Sequence, residues 1–248
     1  MDEKSMQFAN FNITFGENDA PMLKHFSDII FPAFSGDYIR GKRDSVPRYF
    51  FAGVEIKEVD NEYVMVGNFI KETQYKVVTT VQEGVLASTP ADVPTAPYSR
   101  FIVFLKNHRM VLVRNETASP DTRSFQSTVR DILNQYVRNA NRERSERDKL
   151  PIAIANIVDI PLKDSIADVL KNVNKVSWFK LRFFPLNNDL DPGPLTQHIR
   201  EDMKKVGSKT TNIVFNSPNS KDGISKMIAE SSGLAVASLQ IVDNTGEK

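Results

Sequence analysis

The sequence predicts a mixed fold, α+β in its first part and α/β in its last, and three observations carry this. Residues 49–113 alternate β-rich runs with short polar turns, the pattern of antiparallel hairpins. Residues from Ser119 onward carry apolar side chains at steps of three and four, the period of one helix face. Beyond Pro151 strand-like and helix-like segments succeed one another as β-α-β-α-β-α-β. A length of 248 residues suits two domains, each with its own core. The expected division is a β-rich domain over 1–118, a long connecting helix over 119–149 and an α/β domain over 150–248.

In chain order, Phe8, Phe11, Ile13 and Phe15 mark a first strand, and residues 22–30 a short helix or turn. Residues 49–58 and 63–71 flank the polar turn 59–62 and form a hairpin. The run 75–81 extends it, and 82–97, with Pro90, Pro94 and Pro97, is expected as a loop. An apolar hairpin over 101–113 completes a sheet of about five strands, an ordinary number. Ser119 is placed to cap the long helix, with Pro120 at its first position. Its apolar stripe runs through Phe125, Val129, Ile132, Leu133, Tyr136, Val137 and Ala140, and stops where 141–149 turn polar and charged.

In the last part, 152–160 reads as a strand, 162–174 as a helix and 176–184 as a strand. Leu195, Ile199, Met203 and Val206 stripe the next helix, which Gly207 ends. A strand over 211–215, a helix over 222–232 closed by Gly233 and a strand over 234–242 follow, the helices packing on a mostly central sheet.

Composition narrows the function classes. The chain has no cysteine, so disulfides and the common zinc sites are excluded. The first residues form no signal peptide, and no apolar run approaches the ~20 residues that span a bilayer, so a cytoplasmic location is expected. Net charge is +1, from 32 basic and 31 acidic residues, so attraction to nucleic acid has to come from local patches. No catalytic site, metal or cofactor is expected: phosphate-binding glycine loops and nucleophile elbows are missing, and His25, His108 and His198 stand in unrelated contexts. One alternative is a metal-dependent nuclease, because Glu55-Ile56-Lys57 on a strand, with Asp37 and Asp44 upstream, has the acidic and Glu-x-Lys pattern of restriction-type nucleases. Alternating charged and apolar residues are also what any half-buried strand shows.

Basic clusters give the larger signal. The first is Arg138, Arg142, Arg144, Arg147 and Lys149, against Glu143, Glu146 and Asp148. The second lies on the polar side of the Leu195 helix, where Arg200, Lys204, Lys205 and the following Lys209 outnumber Glu201 and Asp202. A third is the loop carrying Arg40, Lys42 and Arg43. Each reads either as a solvated surface or as a set of phosphate contacts. A protein-interaction scaffold, binding through the charged helix end, is the remaining alternative.

The hairpin and helix over 101–133, with Phe104, Val111 and 119–125, together with 181–185, 199–206 and 213–218, resemble the RexA family of phage-exclusion proteins. The resemblance is one of pattern. It implies a non-enzymatic, largely sequence-nonspecific DNA-binding homodimer of a phage or prophage, acting in antiviral defence with a membrane-effector partner protein and no small-molecule substrate.

Overall fold

A computed structural model describes residues 4–42, 45–82, 84–161, 163–187 and 193–243. The chain is mixed α/β and rich in strand, built on a curled antiparallel sheet. β1 (Met6–Phe15) and the short β2 (Ala20–Pro21) lead through one 3-10 turn and one π turn into α1 (Phe31–Ser35). Then come β3 (Ile39–Arg40), β4 (Arg48–Val59), β5 (Glu62–Gln82), β6 (Val85–Thr95), β7 (Tyr98–Phe104) and β8 (Arg109–Arg114). α2 (Thr122–Ala140) crosses the sheet, and β9 (Ala153–Asp159) follows it. The rest is α3 (Lys163–Lys171), β10 (Val173–Phe183), α4 (Gly193–Lys205), β11 (Thr211–Asn216), α5 (Lys221–Ser231) and β12 (Ala235–Asp243).

The nine-stranded sheet runs β2-β1-β8-β7-β5-β4-β3, with β6 added to β5 and β9 to β1. A second sheet has the order β11-β10-β12, every pairing antiparallel. The strand expected first in a C-terminal layer therefore belongs to the large sheet: β9 pairs with β1 from Ala9↔Asp159 to Phe15↔Ala153. Its alternation of half-buried and buried residues suits an edge strand of that sheet, and the sequence division at residue 150 is not a division between sheets.

Aromatic packing sets the core of the large sheet. The Phe125 ring on α2 meets Phe51 at 5.1 Å, Phe69 at 5.3 Å, Phe101 at 5.4 Å, Phe34 at 6.3 Å and Phe11 at 6.5 Å between centroids. These edge-to-face and tilted contacts each add to simple area burial. Gly67 on β5 permits the packing, because a Cβ there would stand 2.8 Å from the Phe101 ring. The stripe predicted for α2 is indeed its buried face.

Four expectations are corrected. Asp121, not Ser119, caps α2, its side chain accepting from the Ser124 amide at 2.8 Å. Ser119 instead donates to Tyr98 O and accepts from the Glu116 amide, holding the entry turn. The helix ends at Ala140 rather than continuing to 149. The Asn141 side chain both accepts from Leu150 N at 2.8 Å and donates to Leu150 O at 2.9 Å, which folds 142–149 into a closed loop. The expected loop over 82–97 contains β6, while the run at 75–81 continues β5 instead of forming its own strand. Prolines are tolerated on β6 because it is an edge strand, and Pro90 falls where the pairing slips between Val77↔Ala91 and Thr79↔Ser88.

The smaller sheet packs α3, α4 and α5 over Phe179, Leu181 and Phe183 through Ile166, Leu170, Met203, Ile224 and Ile228. One stripe position differs from expectation, since Val206 is exposed. The Leu195 side chain lies outside the described residues.

A buried polar seam joins this sheet to the large one. Asn12 Nδ2 donates to Pro185 O at 2.8 Å and Asn12 Oδ1 accepts from Asn187 N at 2.7 Å. Asn187 Oδ1 in turn accepts from Met22 N at 2.8 Å, and Asn10 Nδ2 donates to Gly233 O at 3.3 Å. Arg109 Nη1 donates to Ser232 O at 2.8 Å. Gly233, at φ +74°, sits so close that a Cβ would lie 3.0 Å from Val158 O.

Two predictions follow from this packing. Phe125→Ala removes the ring at the centre of the aromatic cluster and is expected to cost about 3–5 kcal/mol in urea unfolding. Asp121→Ala is expected to cost about 1 kcal/mol. Desolvation works to raise the Asp121 carboxyl, but hydrogen bonds from Ser124 and the Arg114 charge prevail and lower it. A folded-state pKa below the unfolded value means that the cap is fully stabilising above the unfolded pKa and is lost as pH falls through the folded one. Wild type and variant should converge in stability at that acid end.

A candidate nucleic-acid groove along α2

Opposite its apolar stripe, α2 carries a polar one. Arg123, Gln126, Arg130, Asn134 and Arg138 recur at steps of three, four and seven, which keeps them on one side of the helix. That side borders β9, the end of β10 and the loop 142–149, and three adjoining depressions run along it.

The first, of about 320 Å³, is lined by Thr122, Arg123, Gln126 and Asp159, with Ile157, Ile228 and Val236 as its apolar part. The second, of about 310 Å³, lies between Arg130, Asn134, Asn156 and Arg182 beside Pro185. The third, of about 430 Å³, is lined by Asn134, Arg138, Asn141, Arg142, Lys149 and Ile152. Asn134 belongs to both the second and the third. The three lie in order along α2, whose 19 residues at ~1.5 Å each span roughly 28 Å.

The charges in this groove are unbalanced. Among the described residues Arg123, Arg130, Arg138, Arg142 and Arg182 have no carboxylate within ion-pair distance. Arg130 Nε donates to Ala155 O at 2.8 Å, tying α2 to β9, and its Nη2 reaches Asn156 Oδ1 at 3.5 Å. Burial, with the neighbouring Arg182 charge, lowers the Arg130 guanidinium from its ordinary value. Guanidinium stays protonated even so, and two like charges facing one cleft favour an anion between them. Asp159 is the carboxylate at the first depression. Loss of water raises its pKa, and the Asp121 charge adds to the rise.

The other predicted cations are placed differently. Lys205 pairs with Asp202 at 2.9 Å, and Lys209 pairs with Asp19 at 3.1 Å. Hydrogen bonding to Asp202 raises the Lys205 pKa, and the same bond lowers that of Asp202. Arg200 is half-buried, with Nη2 at 3.4 Å from Leu186 O. Lys204 is exposed and lines a separate depression with Arg200 and Lys209.

In the 142–149 loop Lys149 pairs with Glu146, and Arg144 Nη1 donates to Asp148 O at 3.2 Å. Arg147 is exposed. Arg40 stacks 4.0 Å above the Tyr49 ring and donates from Nε to Thr128 Oγ1 at 2.9 Å, a packing role between β3 and α2. Lys42 is exposed, and Arg43 and Asp44 lie outside the described residues. So Arg138, Arg142 and Lys149 join the groove, whereas the α4 cations and Arg40 stand apart from it.

Arg123, Arg130 and Arg182 were missed by reading charge clusters alone. The seven-residue spacing of Arg123 and Arg130 was a usable signal, but Arg182 joins them only through the seam. Glu55 and Lys57 pair with each other at 3.2 Å on the exposed part of β4. Among the described residues no group of three or more His, Asp and Glu side chains stands ready to hold a metal ion. No described helix is long and apolar enough to cross a membrane. No family model, curated protein or solved structure matches the chain.

Proposed function

We propose that the protein binds DNA through its phosphate backbone, with little sequence preference, along the groove beside α2. The observation that carries this reading is the row of guanidiniums, Arg123, Arg130, Arg182, Arg138 and Arg142, that lack carboxylate partners among the described residues. Guanidinium presents planar pairs of donors suited to phosphate, and a groove of roughly 28 Å matches about eight base pairs of duplex at ~3.4 Å rise. Gln126 and Asn134 stand among the arginines on a helix packed along the sheet rather than protruding from it, so phosphate contacts dominate and register along the duplex is left free. The activity is non-enzymatic on this reading, and it agrees with the DNA binding, homodimer and phage-exclusion role that the RexA resemblance implies.

A second reading is a protein-interaction scaffold. It is favoured by an apolar depression of about 430 Å³ between Phe8, Phe104, Met110, Val111 and Ile160 on the large sheet. Apolar recesses of this kind suit protein side chains better than phosphates.

Charge reversal separates the two basic groups. Arg130→Glu with Arg182→Glu is expected to reduce duplex affinity at least a hundredfold at low salt, whereas Lys204→Glu with Lys205→Glu changes it several-fold at most. Wild type should lose affinity with a log–log salt slope of roughly −4.5, as about five phosphate contacts require. Equal binding by the Arg130/Arg182 variant, or indifference to salt, overturns the reading. Asp159→Asn removes the carboxylate at the groove's first depression and should tighten binding roughly fivefold, from about 1 kcal/mol of repulsion relieved at high effective dielectric. Fluorescence anisotropy with a random duplex measures all of these.

A further inference from the structure

The outer half of β5 is an edge without the usual protection. β4 covers one side of β5 only as far as Arg48↔Glu72, where Arg48 and Glu72 pair at 2.7 Å. β7 and then β6 occupy the other side, joined through Lys71 N donating to Pro97 O at 2.9 Å. Residues 73–82 therefore pair with β6 alone, and their second row of backbone donors and acceptors has no strand partner among the described residues.

The arm formed by residues 73–95 is a two-stranded ribbon, a structure only marginally stable in water unless further strands or packing support it. Its sequence has three charged residues, Lys76, Glu83 and Asp92. Tyr75 is 68% exposed, Val78 65%, Val81 69% and Val85 69%. The two edges differ. β6 carries Pro90 and Pro94, whose missing N–H groups block strand addition, and it also holds the extra residue at the bulge. β5 runs on through Thr73-Gln74-Tyr75-Lys76-Val77-Val78-Thr79-Thr80-Val81-Gln82, with strong β-formers, no proline, no glycine and one charge.

We propose that this β5 edge pairs with the same edge of a second copy of the chain, antiparallel about a two-fold axis near Val78. Self-pairing suits the stretch because an antiparallel register centred on Val78 sets Lys76 opposite Thr80 and Tyr75 opposite Val81, so the single charge never faces its copy. Two ribbons become one four-stranded sheet, β6-β5-β5-β6, with the proline-bearing strands at its outer edges. Further growth stops there, and the assembly closes as a dimer. The register centred on Val78 pairs residues 74–82 of each copy, nine residues a side, and supplies about the ten hydrogen bonds that standard interfaces carry.

The absence of cysteine permits a direct test on the full chain. Wild type should sediment at twice its 28.0 kDa, and Val78→Glu, which sets two carboxylates against each other, as a monomer with an unchanged circular dichroism spectrum. Val78→Cys should form a disulfide-linked dimer under mild oxidation, and Lys226→Cys, on the exposed part of α5, should not. A monomeric wild type, a dimeric Val78→Glu, or linkage of Val78→Cys no faster than that of Lys226→Cys overturns the proposal. DNA binding is read apart from assembly: Arg130→Glu with Arg182→Glu remains a dimer, and monomeric Val78→Glu still binds duplex at low salt with a shallower salt slope.

Discussion

The constraint on which the rest depends is the buried seam of Asn12 and Asn187. Two sheets with separate apolar cores have to be held at one fixed offset, and apolar packing alone slides easily. Asn12 answers Pro185 O and Asn187 N at once, while Asn187 reaches on to Met22 N, so one side chain from each sheet fixes the other's backbone. Both side chains are fully buried. Breaking either leaves amide groups buried without partners, at a cost of about 1–3 kcal/mol each, more than the bonds contribute when intact. The seam also sets the groove: Pro185 lies two residues beyond the end of β10, and its position fixes where Arg182 stands opposite Arg130 on α2.

Legibility in the sequence followed from how local each constraint was. The apolar stripe from Phe125 to Val137 needs only helical periodicity, and it was readable. The two hairpins at 48–71 and 98–114 were readable for the same reason, since alternation and a short turn lie within a dozen residues. The extent of α2 was not, because what stops it is Asn141 reaching Leu150, a bond across nine residues that no propensity signals. Nor was β6: Pro90 and Pro94 argue against a strand until it is known that the strand is an edge. The pairing of β9 with β1 joins residues about 145 apart and depends on the whole sheet being in place.

The candidate site shows the same division. Half of it was in view, since Arg138, Arg142 and Lys149 stood out as a charge run, and the stripe of Arg123 and Arg130 shares the helix's own period. What sequence could not supply was the partner of each charge. Lys205 and Lys209 sit in runs as basic as any in the chain, yet Asp202 and Asp19 stand against them. Arg40 looked like a loop cation and is instead stacked on Tyr49. A cation's availability is a property of its tertiary neighbours, which is why counting charges ranked the α4 group level with α2.

Much of the fold obeys the ordinary rules: α2 and α5 carry side-chain caps, the β6 edge carries proline, and Lys205, Lys209 and Arg40 find a carboxylate or an aromatic face. Two places do not. Arg130 and Arg182 face one cleft with no carboxylate between them among the described residues, and the β5 edge at 73–82 is left open with its valines in water. Departures of this sort raise the free energy of the isolated chain and persist where a partner relieves them. The two differ in the partner each calls for. Like charges in a cleft are relieved by an anion, while a strand edge with a single charge and no proline is relieved by another strand. A single partner of either kind satisfies one and leaves the other, so the two proposed associations are separable, one electrostatic and weakened by salt, the other hydrogen-bonded and apolar and largely indifferent to it.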